Sequence, residues 1–131
     1  MLFYSTNDNS LRADFREATI KGQAPDKGLY FPVTIPEFPK DFFSSITSYS
    51  REEIAYRVIK PYVKESIPEA ELRIIIEETI NFEFPLVQIN DNIFSLELFH
   101  GPTLAFKDVG ARFMSRCLGY FVMDEKQRIT V

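Results

Sequence analysis

The chain has 131 residues and a formal net charge of -4, with 45% hydrophobic and 26% charged residues. That length suits one domain or one piece of a larger one, and the composition excludes a disordered polypeptide. Its 15 basic residues are scattered among 19 acidic ones, which excludes the clustered basic footprint of a nucleic-acid binder.

From the N-terminus, Leu2 to Ser5 predicts a short strand. Leu11, Phe15 and Ala18 then lie on one side of a predicted short helix ending near Gly22. Leu29 to Phe31, framed by Gly28 and Pro32, predicts a second strand, and the crowding of Pro25, Pro32, Pro36 and Pro39 predicts loop. Ser50-Arg51-Glu52-Glu53 has the form of a capping box, with the serine oxygen accepting from a first-turn amide and the glutamate reaching back. The helix that follows has Ile54, Val58 and Tyr62 as its apolar face, with Ala55, Ile59 and Val63 beside them, and Pro61 should bend or end it. Ser66-Ile67-Pro68-Glu69 predicts another start, with proline in the first turn and Leu72, Ile75, Ile76 and Ile80 on one stripe. Two such helices joined by a short turn should pack as a hairpin.

After Pro85 the pattern changes. Leu86 to Ile89 predicts a strand, Asn90-Asp91-Asn92 a turn, and the alternation from Ile93 to Phe99 a second strand. His100-Gly101-Pro102-Thr103 breaks it, a helical pattern runs from about Ala105 to Glu125, and Arg128 to Val131 reads as strand. Strand, helix, strand predicts a βαβ crossover. The expected fold is thus α+β grading into α/β, with short strands and a helical hairpin ahead of a first βαβ unit. A buried parallel strand is a poor place for a domain to stop, so the expectation is the N-terminal part of a longer protein.

One cysteine, Cys117, and one histidine, His100, make neither an internal disulfide nor a Cys/His metal site. A reducing compartment follows. The start, MLFYSTNDNS, lacks a basic segment and an apolar segment, and apolar runs such as Ile74 to Ile76 are too short to span a bilayer. The expectation is a cytoplasmic protein with no membrane, metal or nucleic-acid partner.

Lys107 is the first candidate for chemistry, being the sole lysine between Lys64 and Lys126 and following Leu104-Ala105-Phe106. On a helix, Gly110, Ala111, Met114 and Leu118 share its side. Burial among such neighbours would disfavour the ammonium and produce the neutral amine that a nucleophile or Schiff-base former needs, with room for a planar ligand. The commoner reading of the same pattern is a snorkelling lysine, its stem buried and its head in water. Asp108 either orients a ligand or pairs with Lys107, or is simply an acid favoured by the helix dipole in the first turn. His100 has a pKa suited to proton transfer but precedes Gly-Pro, where turn residues are common. Thr103 reads as a helix cap and Cys117, with Phe113, Tyr120 and Phe121, as a small buried hydrophobe. The glycines Gly22, Gly28, Gly101, Gly110 and Gly119 are too far apart to build a phosphate-cradling loop.

The block Glu97-Leu98-Phe99-His100-Gly101-Pro102-Thr103-Leu104-Ala105-Phe106-Lys107-Asp108, followed by Gly110-Ala111-Arg112-Phe113-Met114, closely resembles the threonine synthase family. Lys21-Gly22-Gln23-Ala24-Pro25-Asp26-Lys27-Gly28-Leu29-Tyr30-Phe31-Pro32 looks like that family's N-terminal signature, so the resemblance covers essentially the whole chain. Val109 stands where an aromatic residue is expected. The resemblance implies a fold type II enzyme in which Lys107 binds pyridoxal 5'-phosphate covalently as a Schiff base. It implies conversion of O-phospho-L-homoserine and water to L-threonine and phosphate, with the freed lysine amine moving protons at successive carbons. It further implies an accessory region over residues 1–80 and the start of the catalytic domain over residues 81–131, with the phosphate loop and ring-holding groups lying beyond Val131. The isolated chain would then be inactive and prone to self-association through exposed apolar area. An alternative of another class is a small non-catalytic α+β domain that binds a protein partner. A complete small Schiff-base enzyme is disfavoured by the lack of a phosphate nest.

Overall fold

In the computed structural model, which describes residues 1–123, strand β1 (Leu2–Ser5) is central to a three-stranded antiparallel sheet. Its neighbours are β2 (Arg12–Asp14) on one side and β3 (Tyr30–Pro32) on the other. The apolar spacing from Leu11 assigns residues 12–14 to the first helix. They pair with β1 instead, Leu2 opposite Asp14 and Tyr4 opposite Arg12, because a free strand edge offers hydrogen bonds that one extra helical turn cannot match. The helix α1 starts later (Phe15–Lys21), with the Asp14 carboxylate accepting from Glu17 N at 2.7 Å, and stops at Gly22 as expected. The second predicted strand, β3, begins one residue later than the sequence pattern places it.

Residues 33–39 are loop, and a short helix α2 (Lys40–Ser44) buries Phe42 among Phe38, Phe43 and Tyr49. Helix α3 (Arg51–Val63) begins with Ser50 Oγ accepting from Glu53 N at 3.2 Å. Only that half of the capping box forms as expected. The Glu53 carboxylate goes to Arg57 at 2.7 Å and to Arg73 of the next helix at 3.1 Å. The helix passes through Pro61 and ends two residues later. Its core stripe is Ala55, Ile59 and Val63 with Tyr56, while Ile54, Val58 and Tyr62 lie half-buried outside the main cluster. Both stripes are apolar at helical spacing, and only the position of the neighbouring helix chooses between them.

Helix α4 (Glu69–Thr79) follows, with Pro68 at the cap rather than in the first turn. Leu72, Ile75, Ile76 and the following Ile80 are all buried, as their stripe predicts, and Ile74 on the opposite side is exposed. Helices α3 and α4 form the expected hairpin, and α5 (Asp108–Val122) packs across α4 and α1. One cluster results: Val63, Ile67, Leu72, Ile75, Ile76 and Ile80 with Cys117 and Phe121 of α5. Arg116 bonds Glu78 at 2.7 Å and Arg112 bonds Asn81 Oδ1 at 2.8 Å, tying the α4 and α5 surfaces together.

Between α4 and α5, β4 (Leu86–Asn90) and β5 (Ile93–Leu96) form an antiparallel hairpin. The Asn90 side chain accepts from Asn92 N and Ile93 N, closing the turn the asparagines predict. The strand β5 stops at Leu96 rather than Phe99 because its partner strand begins at Leu86, directly after a proline with no N–H to donate. Leu86, Ile89, Ile93, Phe94 and Leu96 are all exposed, so neither face of this hairpin is covered by the described residues. The predicted strand at 128–131, and with it the βαβ crossover, lies outside the described residues.

Cys117 is fully buried, and desolvation pushes its thiol up to about 12. Because the thiolate is the reactive form, native chain at pH 8 is expected to react with iodoacetamide at least about a hundredfold more slowly than unfolded chain. Comparable rates in the two states would show that the α4–α5 packing around Cys117 is wrong.

Candidate functional site

The segment from Glu97 to α5 is held by backbone turns and one carboxylate. Glu97 N donates to Pro85 O at 3.0 Å, anchoring the chain as it leaves β5. Leu104 N donates to Gly101 O at 3.1 Å, with Leu104 in the left-handed region at φ 57°, and Asp108 N donates to Ala105 O at 3.0 Å. These two turns occupy residues into which the helical pattern extends, so α5 starts at Asp108 rather than Ala105.

Asp108 is 4% exposed, unusual for a first-turn acid. Its Oδ2 accepts from Thr103 N at 2.9 Å, and its Oδ1 accepts from the Thr103 hydroxyl. Thr103 therefore does not cap α5; it donates twice to the first residue of the helix. Gly101 lies against the same carboxylate: a Cβ there would sit 2.3 Å from Asp108 Oδ2 and 2.8 Å from Asp108 Cβ, so only glycine lets the backbone come this close. The hydrogen bonds from the Thr103 hydroxyl and then its amide hold the Asp108 carboxyl below its ordinary range. Its contribution to stability is present at neutral pH, above the ordinary carboxylate value, and is lost as pH falls through the lowered one.

Lys107 occupies the cap position of α5 with φ -75° and ψ -9°, and its carbonyl accepts from Ala111 N at 2.9 Å. Its side chain is exposed, and its ammonium lies 5.9 Å from the Phe106 ring centroid. The apolar cover that the helical spacing offers this lysine is not supplied by the described residues: Gly110, Ala111 and Met114 beside it are exposed and only Leu118 is buried. A Cβ on Gly110 would meet nothing within 4 Å, and Gly110 lines an apolar cavity with Ala55, Ile59, Ile76, Ile80 and Phe113 rather than with Lys107. A solvent-exposed primary amine on an anchored backbone is a suitable nucleophile for a carbonyl-bearing cofactor.

His100 stacks on Phe99, with ring centroids 4.6 Å apart, and its Nε2 lies 2.7 Å from Glu97 Oε2. Residue type alone supplies this histidine with no orienting carboxylate; the signal that does is the spacing of three between Glu97 and His100. Among the described residues there is no group of three His, Cys, Asp or Glu placed to hold a metal, and no helix long and apolar enough to cross a membrane.

The second motif, Lys21 to Pro32, folds against β1. Ser5, fully buried, donates its hydroxyl to the Asp26 carboxylate at 2.7 and 2.8 Å, and Gly28 N donates to Asp26 Oδ1 at 2.9 Å. Asn7 Nδ2 donates to Asp26 O at 3.0 Å. The Ser5 hydroxyl and the Asp26 carboxylate are spent on each other and on the Gly28 amide, which makes this a structural closure rather than a reactive centre.

Comparison with known proteins identifies the relatives of this chain. The family model described as "Threonine synthase N terminus" matches residues 2–80. The threonine synthase of Pseudomonas aeruginosa is 35% identical over 100% of this chain and 29% of its own length, and that of Saccharomyces cerevisiae is 35% identical over 99% and 29%. Among solved structures, threonine synthase from Escherichia coli superposes with a TM-score of 0.89 at 30% identity, over 95% of this chain and 29% of that one. Pyridoxal-phosphate-bound threonine synthase from Brucella melitensis gives 0.90 at 35% identity, over 98% and 29%. The chain spans less than a third of the length of these relatives.

Proposed function

Because the chain belongs to the threonine synthase family, we propose that it is the lysine-bearing front part of a pyridoxal-phosphate-dependent threonine synthase, with Lys107 as the residue that holds the cofactor. The observation that carries this reading is the placement of Lys107. Its backbone is pinned between the Thr103–Asp108 contact and the first helical bond to Ala111, while its side chain is exposed. The substrate is O-phospho-L-homoserine and the products are L-threonine and phosphate. The bound cofactor supplies an electron sink for carbanion charge. Lys107 then takes and returns protons at successive carbons of the substrate, which demands a long, mobile side chain on an immobile backbone. Residues 1–80 act as an accessory region, and residues 81–131 begin the catalytic domain, which is of fold type II. On this reading, the groups that hold the phosphate and the pyridine ring belong to the remainder of the enzyme. A cytoplasmic location is part of the same proposal.

The test is to isolate the native gene product from its source cells, reduce it with borohydride, digest it and locate the cofactor adduct. A species several times heavier than 15.2 kDa with the adduct on Lys107 is the expected result. Lys107→Ala is expected to abolish both the adduct and phosphate release from O-phospho-L-homoserine. A native species of this chain's own mass, carrying no adduct, would overturn the proposal in favour of an interaction domain.

A further inference from the structure

We propose that Asp108 is a positioning residue for Lys107, its buried carboxylate binding Thr103 across the loop and thereby fixing where the lysine backbone leaves that loop. The inference rests on the reading of Lys107 as the cofactor-holding amine and adds to it the device that sets the amine's origin.

Three observations converge. Asp108 is adjacent to Lys107 in sequence yet opposite in environment, 4% exposed beside an exposed lysine, so the chain turns the carboxylate inward at the point where it turns the amine outward. Both carboxylate oxygens are engaged by one residue, Thr103, through its amide and its hydroxyl, a two-point contact that fixes orientation as well as distance. Gly101 approaches the same carboxylate so closely that any side chain there would displace it. Residues 103–108 are thereby closed into a ring that contains Lys107 and ends at Asp108, with α5 as its rigid continuation. Loop turns alone are weak constraints: the Leu104 and Asp108 amide bonds close single turns, and Leu104 sits in a left-handed conformation that a leucine adopts only when its surroundings hold it there. With Asp108 removed, the ring opens and the stem of Lys107 loses its fixed origin.

The hydroxyl arm can be removed without touching the helix. Thr103→Val deletes it, and Thr103→Ser restores it. Amide relaxation of Lys107 in this chain reads the device directly. Its order parameter is expected to fall from about 0.85 to below about 0.6 in both Asp108→Ala and Thr103→Val, and to return in Thr103→Ser, while amides in α4 stay unchanged. In the native gene product at limiting cofactor, borohydride-trapped adduct on Lys107 is expected to drop at least fivefold in Thr103→Val and to recover in Thr103→Ser. A rigid Lys107 in Thr103→Val overturns the inference, as does a mobile Lys107 that traps cofactor as well as the parent. Should Asp108→Ala fail to fold, Thr103→Val decides alone. If the unmutated product carries no adduct on Lys107, the functional proposal falls, and the Asp108 contact is still judged by relaxation.

Discussion

Leu72→Ala is expected to destabilise the chain by about 3 kcal/mol and to lower its melting midpoint by about 10 °C. Leu72 is fully buried in the cluster where Val63 and Ile67, at the end of the α3–α4 hairpin, meet Cys117 and Phe121 of α5. Removing the isobutyl group there loses the transfer free energy of the missing carbons. It also leaves a void that helices tied on both sides cannot close, since Arg112 and Arg116 of α5 already bond the end of α4 and the residues after it. Two controls make the result readable. Leu72→Met conserves volume and is expected to cost less than about 1.5 kcal/mol, and Ile74→Ala, at a position 50% exposed on the same helix, is expected to fall within about 0.5 kcal/mol of the parent. Equal losses at Leu72 and Ile74 in chemical denaturation would mean that α4 buries a different face.

Gly28→Ala is expected to cost about 2 to 3 kcal/mol, although it adds a single methyl group to a loop. The added Cβ would lie 2.0 Å from Ser5 Oγ and 2.9 Å from the Asn7 backbone nitrogen. Neither can move cheaply. Ser5 is fully buried with its hydroxyl committed to Asp26, and Asn7 N donates to that same oxygen at 3.2 Å. Combining Gly28→Ala with Ser5→Ala removes the closer clash but not the backbone one, so the double variant is expected to recover only part of the loss once the cost of Ser5→Ala alone is subtracted. Gly119 is the contrast. It lies inside α5 with nothing within 4 Å of an added Cβ, and Gly119→Ala is expected to stabilise by about 0.5 to 1 kcal/mol. A Gly28→Ala chain as stable as the parent would show that the Ser5–Asp26–Gly28 closure is looser than its distances indicate.

Elements whose signal is local are legible in the amino-acid sequence. The α4 stripe of Leu72, Ile75, Ile76 and Ile80 needs only helical spacing, and β1 and the asparagine turn at 90–92 need only alternation and turn chemistry. The boundaries of α1 and β5 that residue pattern misplaces share one cause. Residues 12–14 are strand because β1 has an open edge, and β5 ends early because the next residue of its partner, Pro85, has no N–H to donate back. Neither fact is visible in the segment concerned. The site divides in the same way. Residue type and the turn that breaks β5 mark Lys107, His100, Thr103 and Asp108 as candidates. They do not reveal that Thr103 donates to Asp108 rather than capping α5, nor that Glu97 orients His100.

Residue type and spacing settle the chemistry available to this protein, namely one lysine after an apolar run, a Gly-Pro break ahead of it, and a single cysteine among aromatic neighbours on α5. They also settle which faces of α4 and α5 are apolar, because these are properties of residues near one another in the chain. Long-range packing chose which of the two α3 stripes turns inward, which of Lys107 and Asp108 meets solvent, and that Gly28 and Gly101 are sites of close approach rather than ordinary turns. Those outcomes depend on atoms distant in the chain or across a turn, where hydrogen-bond satisfaction and packing volume override local preference.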